Sequence, residues 1–157
     1  GNAWMVDNIT YVDNANEEIE KLSKIDLHHE AVADSKFKDV LGTSKKQGAV
    51  STATLKKYEP NKLEYEVNST SGGVLVFSEI YYPEWTATVD GKSVELGRAN
   101  YVLRALNVAP GSHKVVLTFY PKSVDQTETI AYVSYIILLL VVLLTVYIER
   151  KKEKKTL

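Results

Sequence analysis

From Ile130 to Ile148 the chain reads IAYVSYIILLLVVLLTVYI, 19 residues with no charge, no glycine and no proline. A helix of that length spans roughly 28 Å, close to the ~30 Å hydrocarbon core of a bilayer. The competing reading, a core helix of a soluble protein, fits poorly because Leu138 to Leu144 is apolar all round and offers no polar face. Ser134 and Thr145 are the plainly polar members, and each can return its hydroxyl to the helix backbone. Tyr132, Tyr135 and Tyr147 lie near the two ends, where amphipathic rings favour the headgroup zone.

Charge orients this span. Residues 149–157 carry Arg150, Lys151, Lys152, Lys154 and Lys155 against Glu149 and Glu153, a balance of +3, which leaves 14 basic and 18 acidic residues in 1–148. The stretch just before the span, SVDQTETI, has two acids and no base. By the positive-inside rule, 149–157 is a cytoplasmic tail, 129–148 a transmembrane helix and 1–128 an extracytoplasmic domain, placing the protein in the cell (inner) membrane. The basic run is a solvated tail or touches anionic lipid. The lipid bilayer is therefore the first expected partner.

Composition narrows the rest. With 45% hydrophobic and 25% charged residues, the 157-residue chain is ordinary globular material with room for one core. A formal net charge of -1 supplies no basic face for nucleic acid. Cysteine is absent, which removes disulfides and thiolate chemistry together. The opening Gly1-Asn2-Ala3-Trp4 is neither an initiator methionine nor a signal peptide, as expected of a piece of a longer chain.

Period-2 alternation recurs through the first 120 residues. In LEYEV, Leu63, Tyr65 and Val67 share one face; in HKVVLTFY, Val115, Leu117 and Phe119 do. VLVF at 74–77 is apolar on both faces and reads as a central strand. Asp90-Gly91 between WTATV and KSVEL predicts a type I′ hairpin. Ala109-Pro110-Gly111 between YVLRALNV and SHKVVLTFY predicts a second hairpin, and NSTSGG at 68–73 a loop. Near the start, ANEEIEKLSKI reads as a short helix capped by Asn14 or Asn16, with Ile19, Leu22 and Ile25 as its buried stripe. These signals predict a mainly β fold, an antiparallel β-sandwich, immunoglobulin-like or related, of seven to nine strands, with one short N-terminal helix and a single C-terminal transmembrane helix.

Four constellations could carry chemistry. In SEIYYPEWTATVDGK, Pro83 breaks the ladder, so the strand ending near Ile80 stops and another starts at Trp85. Tyr81, Tyr82 and Trp85 then either seal the end of the sandwich or form a stacking platform for glycan. Glu79 and Arg104 each interrupt an apolar strand and are expected to pair, because a charge on a half-buried strand needs a partner. His28-His29-Glu30 alternates across a strand and lacks further ligands at metal-binding spacing, and His113 stands alone, so no metal site is assigned. No nucleophile elbow, phosphate-cradling loop or supported S-x-x-K occurs, so no catalytic residue and no cofactor is assigned.

Taken in order, GNAWMVDNITYVDNANEEIEKL, IDLHHEAV, SEIYYPEWTATVDGK, RANYVLRALNVAPGSHKVVLTFYP and the terminal apolar span resemble the C-terminal end of the YfhO family of bacterial membrane proteins. The resemblance implies a polytopic protein related to GT-C glycosyltransferases, which move sugar from a polyprenyl-phosphate carrier to a cell-envelope polymer. It implies that the catalytic carboxylate lies in an N-terminal membrane region outside this sequence. This segment would then be a non-catalytic accessory domain with the last transmembrane helix, partnered by the remainder of the polytopic protein and by envelope glycan. A purely structural module, or a stand-alone single-pass envelope protein, are the alternatives.

Overall fold

The computed structural model describes residues 2–43 and 50–156; Gly1 and Leu157, the outermost residues of the expected domain and tail, lie outside that range. The chain divides into two compact units, Gly1–Tyr120 and Pro121–Leu157. Among the described residues the first contains eleven strands: β1 (Ala3–Val6), β2 (Asn8–Val12), β3 (Glu30–Asp34), β4 (Ser51–Glu59), β5 (Lys62–Ser69), β6 (Gly73–Ile80), β7 (Trp85–Val89), β8 (Lys92–Val94), β9 (Gly97–Ala99), β10 (Leu103–Val108) and β11 (Gly111–Phe119). Helix α1 (Ala15–Leu22), a 3-10 turn and the one-turn α2 (Lys38–Leu41) interrupt them.

Two antiparallel sheets form the sandwich. One has the order β1-β6-β10-β9 and the other β4-β5-β11-β7-β8. Between them pack Leu63, Tyr65, Val67, Val115 and Leu117 from the five-stranded sheet and Leu75, Phe77, Leu106 and Val108 from the four-stranded one. Each such fully buried side chain contributes roughly 1.5–3 kcal/mol. The alternation expected of LEYEV is present, with Leu63, Tyr65 and Val67 inside and paired across β11.

β6 is buried on both faces, as its sequence predicts. Leu75 and Phe77 face the sandwich core, while Val74 and Val76 face a second cluster with Ile9, Ala31, Ala33 and Leu41. That second layer is built by β2 and β3, which pair in parallel. A parallel pair needs a crossover, and α1 provides it. The added layer is why the strand count exceeds the expected seven to nine.

Two expectations are corrected. Ala109-Pro110-Gly111 does not close a hairpin: β10 pairs with β6 and β9, whereas β11 pairs with β5 and β7, so the chain arches from one sheet to the other. The buried residue of α1 is Glu18, while Ile19 is half exposed. The Glu18 carboxylate accepts from Arg98 Nη2 at 2.9 Å and from the backbone N–H of Tyr101 at 2.7 Å. An otherwise costly buried charge is thereby paired and hydrogen-bonded. Asn14 caps the helix, accepting from Glu17 N at 3.0 Å.

The second unit is one helix, α3 (Lys122–Thr156). Its stretch Thr127–Ile148 is long and apolar enough to cross a membrane, and none of it is buried within the protein. Ser134 Oγ donates to the Ile130 carbonyl and Thr145 Oγ1 to that of Val142, each at 2.8 Å. The two hydroxyls therefore present no unpaired donor to the apolar surroundings.

Candidate functional site

The aromatic run lies where β6 ends and β7 begins. Trp85 N donates to the Tyr82 carbonyl at 3.1 Å, closing a tight turn with Pro83 in its second position, where a fixed φ is favoured. Tyr81 N donates to the Val102 carbonyl at 2.7 Å, tying the turn to the segment before β10. The turn is thus closed by a local bond and anchored by a long-range one.

The three rings have different surroundings. Trp85 stacks at a tilt on Phe119, centroids 5.3 Å apart, and the Arg104 guanidinium carbon sits 4.0 Å from the Trp85 ring centroid. Tyr81 meets Phe37 edge-on at 5.7 Å and is partly buried against the core. Tyr82 touches Phe119 edge-on at 6.0 Å and remains 53% exposed. Of the three candidate glycan contacts, Tyr82 is the one that turns most of its surface to solvent.

Beneath Trp85, Arg104 is 3% exposed and its Nη2 donates to the Glu79 carboxylate. A register shift between Leu103 and Ala105 in the β6–β10 ladder falls at this point, and such irregularities re-aim side chains. The structure therefore brings Glu79 and Arg104 together across adjacent strands. Burial pulls the guanidinium below its ordinary pKa, opposed by the neighbouring carboxylate. Burial also pushes the Tyr65 phenol up to about 12. The Tyr65 hydroxyl and Arg104 Nε and Nη1 have no hydrogen-bond partner within the described protein.

The histidines are dispersed. His29 Nδ1 lies 2.8 Å from Asp7 Oδ2, and His113 Nδ1 lies 2.7 Å from Asp90 Oδ2 in the β7–β8 turn. Asp90 also accepts from Lys114 N at 2.8 Å. The Asp90 hydrogen bond raises the His113 pKa, and the reciprocal contact lowers that of Asp90. Among the described residues no group of three His, Cys, Asp or Glu side chains could hold a metal. A shallow cleft of about 580 Å³ opens at the opposite end of the sandwich, lined by Ser51, Asn68, Thr70, Pro110 and neighbours, with no charged side chain among the described residues.

Sequence reasoning missed the Glu18–Arg98 pair. Arg98 lies 5.9 Å from the Phe37 ring centroid and 5.5 Å from that of Tyr101. Tyr101 and Asn100 both have positive φ, at 69° and 49°. Asn100 imitates a strand: its N donates to the Val32 carbonyl at 2.7 Å and its Oδ1 accepts from Val32 N at 3.0 Å. The run Arg98-Ala99-Asn100-Tyr101 is the legible trace of this, since Asn tolerates the left-handed region.

A β-sandwich followed by a helix long and apolar enough to cross a bilayer defines the class, a β-rich domain associated with a membrane. The chain belongs to the YfhO family: the family model described as Bacterial membrane protein YfhO matches residues 20–131. That match runs from α1 to the start of the apolar span, and membership agrees with a protein of the membrane. No curated protein matches the chain, and no solved structure matches it.

Proposed function

We propose that this chain is the extracytoplasmic, non-catalytic module of a polytopic YfhO-family protein, a structural piece held at the membrane surface by α3 with the basic tail in the cytoplasm. The parent, on this reading, is a membrane glycosyltransferase that moves sugar from a polyprenyl-phosphate carrier to an envelope polymer. Its reacting groups lie in membrane spans upstream of residue 1. Those spans would join the sandwich at its aromatic end, because the Asn2 carbonyl accepts from Ser78 N at 2.9 Å there.

One observation carries the structural role over a glycan platform: the Trp85 ring is already stacked on Phe119 and covered by Arg104. A sugar stacks on an open aromatic face, and this ring is occupied from within. The second reading, in which acceptor glycan is oriented here, is favoured by Tyr82 alone, through its exposure.

Two measurements test the proposal. Protease added to intact spheroplasts is expected to reach residues 1–120 and spare the tail; cleavage of the sandwich only in inverted vesicles would overturn the topology. Envelope polymers titrated against the full chain are expected to leave tryptophan fluorescence unchanged. A saturable change that Tyr82→Ala abolishes would replace the structural role with the glycan-orienting one.

A further inference from the structure

The end of the sandwich from which the chain departs is unusually apolar on its outside. Ile80 is 69% exposed, Tyr82 53%, Val102 42% and Tyr120 63%. They gather at this one end through chain and ladder neighbours. Ile80 stands opposite Leu103 in the β6–β10 ladder, next to Val102. The Val102 carbonyl holds Tyr81, and Tyr82 packs on Phe119, the residue before Tyr120. Pro83 in the turn is also exposed. Single exposed apolar residues are ordinary on a protein surface, whereas a joined group marks a contact.

We infer that this surface, formed by Ile80, Tyr82, Val102 and Tyr120, lies in the headgroup zone of the bilayer and is a second membrane contact besides the helix. The inference rests on Thr127–Ile148 crossing the membrane, as the proposed function has it, and goes beyond it in giving the sandwich its own lipid contact. Two observations choose lipid as the occupant. Covalent geometry is the first: α3 starts at Lys122 and its apolar stretch at Thr127. At most about 15 Å of chain therefore separates Tyr120 from the hydrocarbon edge. The headgroup layer itself is about 5–7 Å deep. Composition is the second: two tyrosines with two aliphatic side chains suit a zone that is wet on one side and apolar on the other.

The sequence contains no cysteine, so one introduced thiol gives one label position. Ile80→Cys, Val102→Cys, Lys92→Cys in the far hairpin and Leu140→Cys in the apolar stretch would each be made in the full chain. Each is labelled with an environment-sensitive fluorophore and reconstituted in vesicles of phosphatidylethanolamine and phosphatidylglycerol. Far-UV circular dichroism checks that each variant retains its fold. Labels at 80 and 102 are expected to shift to the blue and lose emission when lipids carry a spin label high on the acyl chain. The label at 92 should keep its emission, and the label at 140 should lose it to a deep spin label. Water-like emission at 80 and 102, with 140 quenched, would overturn the inference while leaving the anchor standing. A blue shift at 80 and 102 without lipid quenching would overturn it too, because a protein surface, such as a second copy, would then be the occupant. An unquenched label at 140 would remove the anchor, and the inference with it.

Discussion

Arg104 illustrates how one residue can bind two roles together. Its guanidinium pairs with Glu79 and covers Trp85, so removing it exposes a ring and strands a carboxylate. Breaking a buried pair from one side typically costs about 3–5 kcal/mol. Glu79 retains 20% side-chain exposure, which lowers the expectation for Arg104→Gln to about 2–3 kcal/mol by denaturant unfolding. In the double variant with Glu79→Gln, the losses should fall short of their sum by ~1 kcal/mol or more, whereas strict additivity would mean no coupling. His113 and Asp90 make a second testable pair. The folded pKa of His113 is raised, so its contribution is complete below about pH 6.5 and fades as pH climbs through the folded value. Asp90 is lowered, so its contribution is present above about 3.8 and fades as pH falls through its folded value. The turn latch is thus fullest between those limits. The stability gap between wild type and His113→Gln should be wider near pH 5 than near pH 9.

At the scale of elements, two of the crossings between sheets, β5 to β6 and β10 to β11, lean on each other. Gly72, in the β5–β6 crossing, has φ of 67°, and a Cβ there would sit 2.6 Å from the Val108 carbonyl oxygen and 2.8 Å from Pro110 N. Backbone cannot yield as a side-chain tip can. Gly72→Ala is expected to destabilise by more than the ~1 kcal/mol of the left-handed penalty alone, read as a lowered denaturant midpoint with unchanged slope. By contrast Gly91, φ of 80°, has open space around it, so Gly91→Ala should show the conformational penalty by itself.

These elements also show what a sequence can disclose. The alternation in LEYEV, the two-sided VLVF and the Asp90-Gly91 turn each depend on neighbours within a few residues, and each formed as read. Ala109-Pro110-Gly111 states that the chain reverses and is silent on which sheet it enters, so a hairpin and an arch look alike. α1 misled because helical spacing rewards Ile19 and Leu22. Glu18 is buried only because Arg98 and Tyr101, some 80 residues on, complete its hydrogen bonds. Polar burial of that kind depends on partners that periodicity does not reveal. At the candidate site, the break at Pro83 was legible, but the occupant of the Trp85 face was not, since a register shift in another ladder delivers Arg104 there.

As a whole molecule, both hydrophobic clusters are built from residues of Gly1–Tyr120, and Thr127–Ile148 is the stretch long and apolar enough to cross a membrane. A chain ending after Pro121 is therefore expected to stay in solution without detergent and to unfold in one cooperative transition with a β-type circular dichroism spectrum. Aggregation or a non-cooperative melt would show that the sandwich needs its anchor to fold.

The arrangement has a mechanical corollary. β1 is an edge strand preceded by Asn2, which sits beside Ser78, and β11 leaves its sheet after Phe119 at that same end. Tension between these two attachment points would peel each strand from its tip, breaking ladder bonds one after another instead of loading them in parallel. Optical tweezers attached at residues 2 and 120 should accordingly record a soft, stepwise rupture. Handles placed at opposite ends of a single strand would meet far stiffer resistance.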